Sequence, residues 1–499
     1  MRKFLKLFFS RLTLILFTIM LQVLVTIFFL LVLREYYQVA SIVSSVIGIL
    51  TLLAIINRDM GCDAKLPWCI LVAFVPIVGV VLYYCFSRNY ASAKERKMFA
   101  KLPHISPVPE DESVAQKYKG QMRYLNDLGF GAYTGTQTNY FACGKDFFGD
   151  YLAELNKAKK FIFMEYFIVA YGVMFDAILD VLKRKVAEGV EVRLLYDDFG
   201  SLLYVKRTFR RKMRKLGIKC ASFARLKPIV SAVHNNRDHR KITVIDGKVA
   251  YVSGLNIADE YINYTHPFHY WKDTAVKLTG NAVSSVCTMF LQMYDMTTKT
   301  MDKFEDYLPE HEDTAEEHGI VVPFGDGPRP IYKEQIGKNV YLGLIEQAER
   351  ELYITTPYLI VDDGFSDALC RAAKRGVDVK IIIPGVPDKK SVYALTKHSC
   401  AKLVKSGVKI YKYTPGFIHA KSIVADGQAG VVGTINLDYR SFMHHYECGV
   451  YMYNTEALHQ LHDDLQVLLA HCELQLTPPK RNIVEKFVCV LGNIFRPLL

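Results

Sequence analysis

The chain lacks the marks of several common protein classes. Its eleven cysteines are scattered and show no metal-ligand spacing, so no sequence-local metal cluster is available to supply chemistry. That scatter suits small apolar fillers in a reducing compartment better than disulfide staples of an exterior domain. No cleavable leader is expected, because the first apolar run, residues 12 to 33, is too long at 22 residues for the short core of a signal peptide. Acidic charge is in deficit: 50 Asp and Glu face 62 Lys and Arg, for a formal net charge of +12. An excess of that sign points to an anionic partner, a phosphate backbone or an acidic lipid surface, and charge alone does not choose between them.

Apolar residues are present in excess. They make up 51% of the 499 residues and mean hydropathy is above zero, so a membrane-bound portion is expected. Three apolar runs, 12 to 33, 38 to 56 and 66 to 86, are each near the twenty residues a helix needs to cross hydrocarbon. Their flanks conflict. Arg2, Lys3, Lys6 and Arg11 argue for an inside N-terminus, while Arg88, Lys94, Arg96, Lys97 and Lys101 argue the same for the chain after the third run. Two crossings with one interfacial or re-entrant run, the second or the Pro76-containing third, would reconcile them; otherwise the N-terminus lies outside despite its charges.

The remaining chain is a duplication. His239-Arg240-Lys241-Ile242-Thr243-Val244-Ile245-Asp246 recurs 180 residues later as His419-Ala420-Lys421-Ser422-Ile423-Val424-Ala425-Asp426. Each copy leads to a small-residue turn and an Asn, Ser253-Gly254-Leu255-Asn256 or Gly433-Thr434-Ile435-Asn436. One such motif is weak and two in register are specific. In a strand, His and Lys two apart share a face, whereas Asp246 and Asp426 have the opposite parity. The histidines and lysines therefore read as chemistry, and the aspartates as structural residues closing the turns at Asp246-Gly247 and Asp426-Gly427.

Around each motif the periodicity repeats. Helical faces at Phe148 to Ala158 and Phe175 to Val186 alternate with apolar strands at Phe161 to Val169 and Val190 to Tyr196. In the second half the same order runs through Tyr341 to Ala348, Leu352 to Ile354, Phe365 to Ala372 and Val377 to Ile383. Two α/β domains, each a mixed or mostly parallel sheet covered by helices, are expected. The divisions are a membrane region at 1–87 with two to three transmembrane helices, a Pro-bearing linker at 88–136, a first domain at 137–301, an acidic linker at 302–319, and a second domain at 320–499. The basic stretch 205–219 has helical spacing and suits either an anionic bilayer or a solvated face. The C-terminal stripe from Ile483 to Phe495 reads as ordinary packing ahead of membrane contact.

Duplicated H-x-K-x4-D motifs with downstream G-x-N turns resemble the phospholipase D superfamily. The likeness narrows to bacterial cardiolipin synthases at Leu66-Pro67-Trp68 with Val75-Pro76-Ile77-Val78-Gly79, at Ile354-Thr355-Thr356-Pro357-Tyr358, and at Gly416 to Lys421 with Asn436 to Phe442. That resemblance implies phospholipase D-like halves packed face to face around one phosphodiester. The candidate catalytic set is His239, Lys241, Asp246, His419, Lys421 and Asp426, supported by Asn256, Asn436, Asp273 and Glu447. By the same resemblance His239 is the nucleophile and His419 the acid. Asp273 and Glu447, 34 and 28 residues after their respective histidines, are the candidates to fix each imidazole's tautomer. Asp238 and His445 stand where the family usually has Asn, which touches hydrogen bonding behind the site and brings in a second titratable imidazole.

The implied reaction needs no metal or other cofactor. It is phosphatidyl transfer between two phosphatidylglycerol molecules through a phosphohistidine, giving cardiolipin and glycerol, on a multi-pass cell-membrane protein among anionic lipids with its catalytic part in the cytoplasm and without nucleic acid. A phospholipase D using water, or a transferase using another alcohol, would share the same phosphorus chemistry. A nuclease is disfavoured by the apolar runs, and a scaffold has no use for two His-Lys pairs in register.

Overall fold

The computed structural model describes residues 37–58, 61–87, 116–225, 235–308, 319–479 and 481–486, with a few isolated residues besides. Most of the first apolar run, most of residues 88–115 of the expected 88–136 linker, part of the acidic linker and most of the C-terminal stripe fall outside these. Three apolar helices open the described chain: Tyr37–Ile56, Cys62–Phe74 and Pro76–Phe86. The third expected run is therefore two helices, broken where Pro76 removes a backbone donor. They fold back on each other so closely that a Cβ at Gly79 would lie 2.7 Å from Val72 Cα. Among the described residues no helix is long and apolar enough to cross a membrane. Among the described residues of this region, Ile55, Trp68, Val72 and Tyr83 form a buried apolar cluster, while Ile42, Leu50, Leu66 and Phe74 stand more than half exposed.

The first half builds strands β1 (Thr136–Phe141), β2 (Phe161–Tyr166), β3 (Glu191–Asp197), β4 (Lys219–Phe223), β5 (Arg237–Asp238), β6 (Lys241–Ile245), β7 (Val249–Ser253), β8 (Tyr270–Lys272) and β9 (Ala275–Gly280). The second builds β10 (Ile320–Asp326), β11 (Glu351–Thr355), β12 (Leu359–Ile360), β13 (Asp378–Pro384), β14 (Lys409–Tyr413), β15 (Gly416–Ile418), β16 (Ser422–Ala425), β17 (Ala429–Gly433), β18 (Leu437–Asp438), β19 (His445–Tyr453) and β20 (Cys472–Gln475). One sheet runs β1-β9-β7-β6-β2-β3-β4, the other β10-β19-β17-β16-β11-β13-β14-β20. Each keeps parallel pairs where a helix makes the crossover, β2 with β3 and β11 with β13, and antiparallel pairs across the motif hairpin. The duplication read from the motifs is thus a duplication of sheet order.

The central strands are apolar on both faces because helices cover both. Helix Val283–Thr298 is buried nearly throughout and packs in the core shared by the halves, against Phe163 of β2 and beneath β10. A second core, with Tyr151, Met164, Ile178 and Tyr251, lies under helices Gly144–Lys157 and Val173–Ala187. The basic stretch forms only a short helix, Phe209–Lys215, whose Phe209 and Met213 pack inward. At the chain's end Ile483 and Val484 are 85% and 68% exposed, unlike the packing expected there.

Candidate active site

Each motif histidine is carried by a short strand laid against the opposite half. β5 pairs in parallel with β19, opposing Arg237 to His445 and Asp238 to Tyr446, and the His239 amide continues the ladder by donating to Tyr446 O at 2.9 Å. Reciprocally, β15 pairs in parallel with β8, and the His419 amide donates to Lys272 O at 2.7 Å. The exchange extends to the side chains. His239 Nδ1 lies 2.9 and 3.0 Å from the two oxygens of Glu447, and His419 Nδ1 lies 2.6 Å from Asp273 Oδ2. Each imidazole is therefore oriented by the acid of the other half, not by the acid downstream in its own. With Nδ1–H donated to a carboxylate, Nε2 is the ring nitrogen left free for chemistry.

The two acids are held differently. Gly254 must be glycine, since a Cβ there would meet Asp273 Oδ1 at 2.1 Å; that oxygen also accepts the Thr274 amide at 2.9 Å. The matching residue of the second half is Thr434, whose hydroxyl donates to Glu447 Oε2 at 2.5 Å. The shorter acid is seated by missing volume and the longer one by an added donor.

Lys241 and Lys421 are fully buried, and each ammonium donates back to the carbonyl of its own motif histidine. Burial pushes them down to about 8 and about 7, with Lys241 adding repulsion at Lys421. Burial likewise drives both histidines well below the ordinary imidazole value, opposed at His239 by Glu447 and reinforced at His419 by Lys421. Glu447 and Asp273 are held below the usual carboxylate range, against the cost of their own burial, by the imidazoles they face. Two neutral imidazoles thus stand over two carboxylates, and negative charge brought beside them would raise an imidazole toward its protonated form.

The other sequence candidates divide. Asn436 is buried with its side-chain Oδ1 unpartnered, while its backbone amide donates to Ser441 Oγ at 3.2 Å. Asn256 does not present a free amide, because its oxygen accepts the Ile168 amide at 2.9 Å and its nitrogen donates to Tyr261 Oη at 2.7 Å. The Tyr261 ring stands edge-on to His419, so Asn256 acts on the histidine through that wall. Asp246 and Asp426 are not brought to the cluster. They take left-handed φ angles of 54° and 55° in their hairpin turns, and their carboxylates gather backbone amides where the chain approaches β2 and β11. Asp246 accepts from Lys159, Lys160 and Phe161, and Asp426 from Glu349, Arg350, Glu351 and the Lys117 ammonium.

Two further side chains carry the site: Arg240, which was not singled out for it, and His445, marked in the sequence only as an imidazole behind the site. Arg240 is wholly buried and joins the halves, donating to Glu447 O at 3.1 Å and Tyr332 Oη at 2.7 Å beside Glu165 at 3.9 Å. A charge between the motif His and Lys, where the second copy has Ala420, was the available signal. His445 stands with its ring 5.3 Å from that of His239, and with His239 and Glu447 it forms a group of possible metal ligands that no spacing of cysteines announced. Behind His239, burial lifts the Asp238 carboxyl to about 7 and raises that of Glu165.

Two sheets of one order meeting at a pair of His-Lys motifs define a phospholipase D-like protein, and the family model described as "Cardiolipin synthase, PLD-like domain" matches residues 151–268 and 341–469. A second, "Phospholipase_D-nuclease N-terminal", matches residues 45–88. The cardiolipin synthase of Geobacillus kaustophilus is 33% identical over 472 residues, 91% of this chain and 92% of that one. The cardiolipin synthase of Alkalihalophilus pseudofirmus is 33% identical over 427 residues, 81% and 82% of the two chains. An uncharacterized protein of Streptococcus mutans is 41% identical over 461 residues, 90% and 99%. The chain belongs to the cardiolipin synthase family. Among solved structures, phosphatidylserine synthase of Haemophilus influenzae shares the fold at 16% identity, with a TM-score of 0.59 over 77% of this chain and all of that one.

Proposed function

We propose that the protein is a cardiolipin synthase that moves a phosphatidyl group from one phosphatidylglycerol to another, releasing glycerol. The observation that carries this reading is the reciprocal pairing of His239 with Glu447 and His419 with Asp273, which leaves two Nε2 atoms free, with two lysines close by. One neutral imidazole, His239, attacks phosphorus and the other, protonated once the anion is bound, gives its proton to the departing glycerol. His419 then takes the proton of the incoming headgroup hydroxyl as that oxygen attacks the phosphohistidine and restores His239. Lys241 and Lys421 stabilise the charge that gathers on the non-bridging oxygens.

The apolar helices hold the enzyme where its substrates diffuse. By sequence the apolar runs 12 to 33 and 38 to 56 approach the twenty residues that about 30 Å of hydrocarbon requires, whereas the arms Cys62–Phe74 and Pro76–Phe86, 13 and 11 residues long, reach only about 20 Å or less. A crossing pair followed by a re-entrant hairpin puts both basic flanks, before and after the apolar region, on the cytoplasmic side with the catalytic halves.

Purified full-length protein given phosphatidylglycerol alone, with lipids followed by mass spectrometry, tests the reading. Cardiolipin and glycerol in equal amounts are expected. Phosphatidic acid as the sole product would replace it with hydrolysis, and unchanged lipid would overturn it.

A further inference from the structure

Glu447 has a crowded side. Its Oε2 accepts the Thr434 hydroxyl, while Oε1 lies 2.9 Å from His239 Nδ1 and 3.6 Å from His445 Nδ1. His445 is 8% exposed, and neither of its ring nitrogens has a hydrogen-bond partner. Buried polar atoms are ordinarily satisfied, so an imidazole left with two orphaned nitrogens beside a carboxylate and a second imidazole is built to meet something else. Aromatic contact does not account for it: His445 faces Phe167 at 6.5 Å between centroids, a distance that asks nothing of the nitrogens.

The ligand atoms of His239, His445 and Glu447 all lie within 4.8 Å of one another. A zinc ion bound at its usual lengths draws donors to roughly 3.3 Å apart, within reach of small rotations of three side chains. Two imidazoles and one carboxylate are a zinc donor set that leaves a fourth position open. One of the three is the nucleophile proposed above, and another is the carboxylate that orients it.

We propose that His239, His445 and Glu447 form an inhibitory zinc site, in which the ion replaces the proton between His239 Nδ1 and Glu447. On binding, the ring proton passes from Nδ1 to Nε2, the Glu447 carboxylate turns its charge to the ion, and His445 supplies the third ligand. Nε2, now carrying the ring's proton, has no free electron pair to attack phosphorus, and Glu447 no longer accepts from the ring. The nucleophile is disarmed without being displaced, and removal of the ion restores it.

The binding half of this inference does not depend on the reaction. Purified full chain in detergent is titrated with zinc against a chromophoric chelator, and turnover on phosphatidylglycerol micelles is followed with and without the ion. One zinc per chain is expected, with turnover lost on addition and regained in chelator. His445→Asn, which removes a ligand, should weaken binding by at least the roughly 10- to 100-fold that loss of an outer partner costs, and bring the ratio of turnover with zinc to turnover without it toward one. His445→Cys, which restores a zinc ligand, should recover the affinity. Wild-type protein binding no zinc, or a His445→Asn titration superimposable on wild type, would overturn the site. Zinc bound and lost as described in a protein that makes no cardiolipin would uphold the site and defeat the activity.

Discussion

His419 of the second half donates through Nδ1 to Asp273 of the first at 2.6 Å, 146 residues back along the chain. With the mirror pair His239 and Glu447, this assigns each acid to the histidine of the other motif. Asp273→Asn should therefore weaken the acid and base work of His419, slowing turnover by roughly 10²–10⁴-fold while a phosphatidyl-enzyme still forms from an activated substrate. Glu447→Gln should suppress formation of that intermediate. Acid-quenched trapping of labelled phosphatidyl groups reads both, and the opposite pattern would return each acid to its own half.

The histidines themselves should separate in the same assay. His239→Ala removes the group proposed to attack phosphorus, so neither turnover nor covalent label is expected. His419→Ala keeps the nucleophile, so label should form from a substrate with a good leaving group and persist, because the base for the second alcohol is gone. Label retained in His239→Ala and absent from His419→Ala would exchange the two roles.

Activity should have a low alkaline limit. Burial lowers Lys241 to about 8 and Lys421 to about 7, so their charge is present below those values and lost as pH rises through them. An exposed lysine would hold its charge to about 10.4. The kcat/KM for phosphatidylglycerol should fall between about pH 7 and 8, and Lys421→Arg should carry the limb upward if it stays active, since a guanidinium does not titrate there. A limb near pH 10 in the wild type would contradict this.

Chelation should not reduce turnover. Positive charge at the phosphate comes from the two lysines, so a chelator is expected to leave the rate unchanged or raise it by stripping inhibitory zinc. A loss reversed by a divalent ion would sink the metal-independent mechanism.

Asp246→Ala should act on stability more than on chemistry. It strips acceptors from three amides at the approach to β2, and unmet backbone donors cost about 1–3 kcal/mol each where they are buried. A lowered unfolding midpoint, with near-normal activity per folded molecule below it, is expected. Normal stability with activity abolished would instead make Asp246 part of the chemistry.

The sequence disclosed the elements that depend on local pattern. Strand β6, which begins at Lys241 just past His239, the helices on either side and the equivalent stretch in the second half all follow from alternation and helical spacing, which are properties of neighbours along the chain. The crossed acids do not, since the distance from His239 to Asp273 says nothing about which half faces which. Asn256 could be named as a supporting residue because an amide's type is visible, but its partner, Tyr261, is not. The third apolar run kept its hydropathy but not its continuity, and Pro76 was the mark of the break.

The strand exchange has a consequence for partly folded molecules. Because β5 needs β19 and β15 needs β8, a chain in which only one half has formed holds neither histidine in place and has an orienting acid for neither. Chemistry switches on only when the last unit docks, so an immature or damaged copy is silent instead of half-active. For a protein whose reactive imidazole would otherwise meet phosphodiesters throughout its surroundings, the geometry serves as a safety interlock.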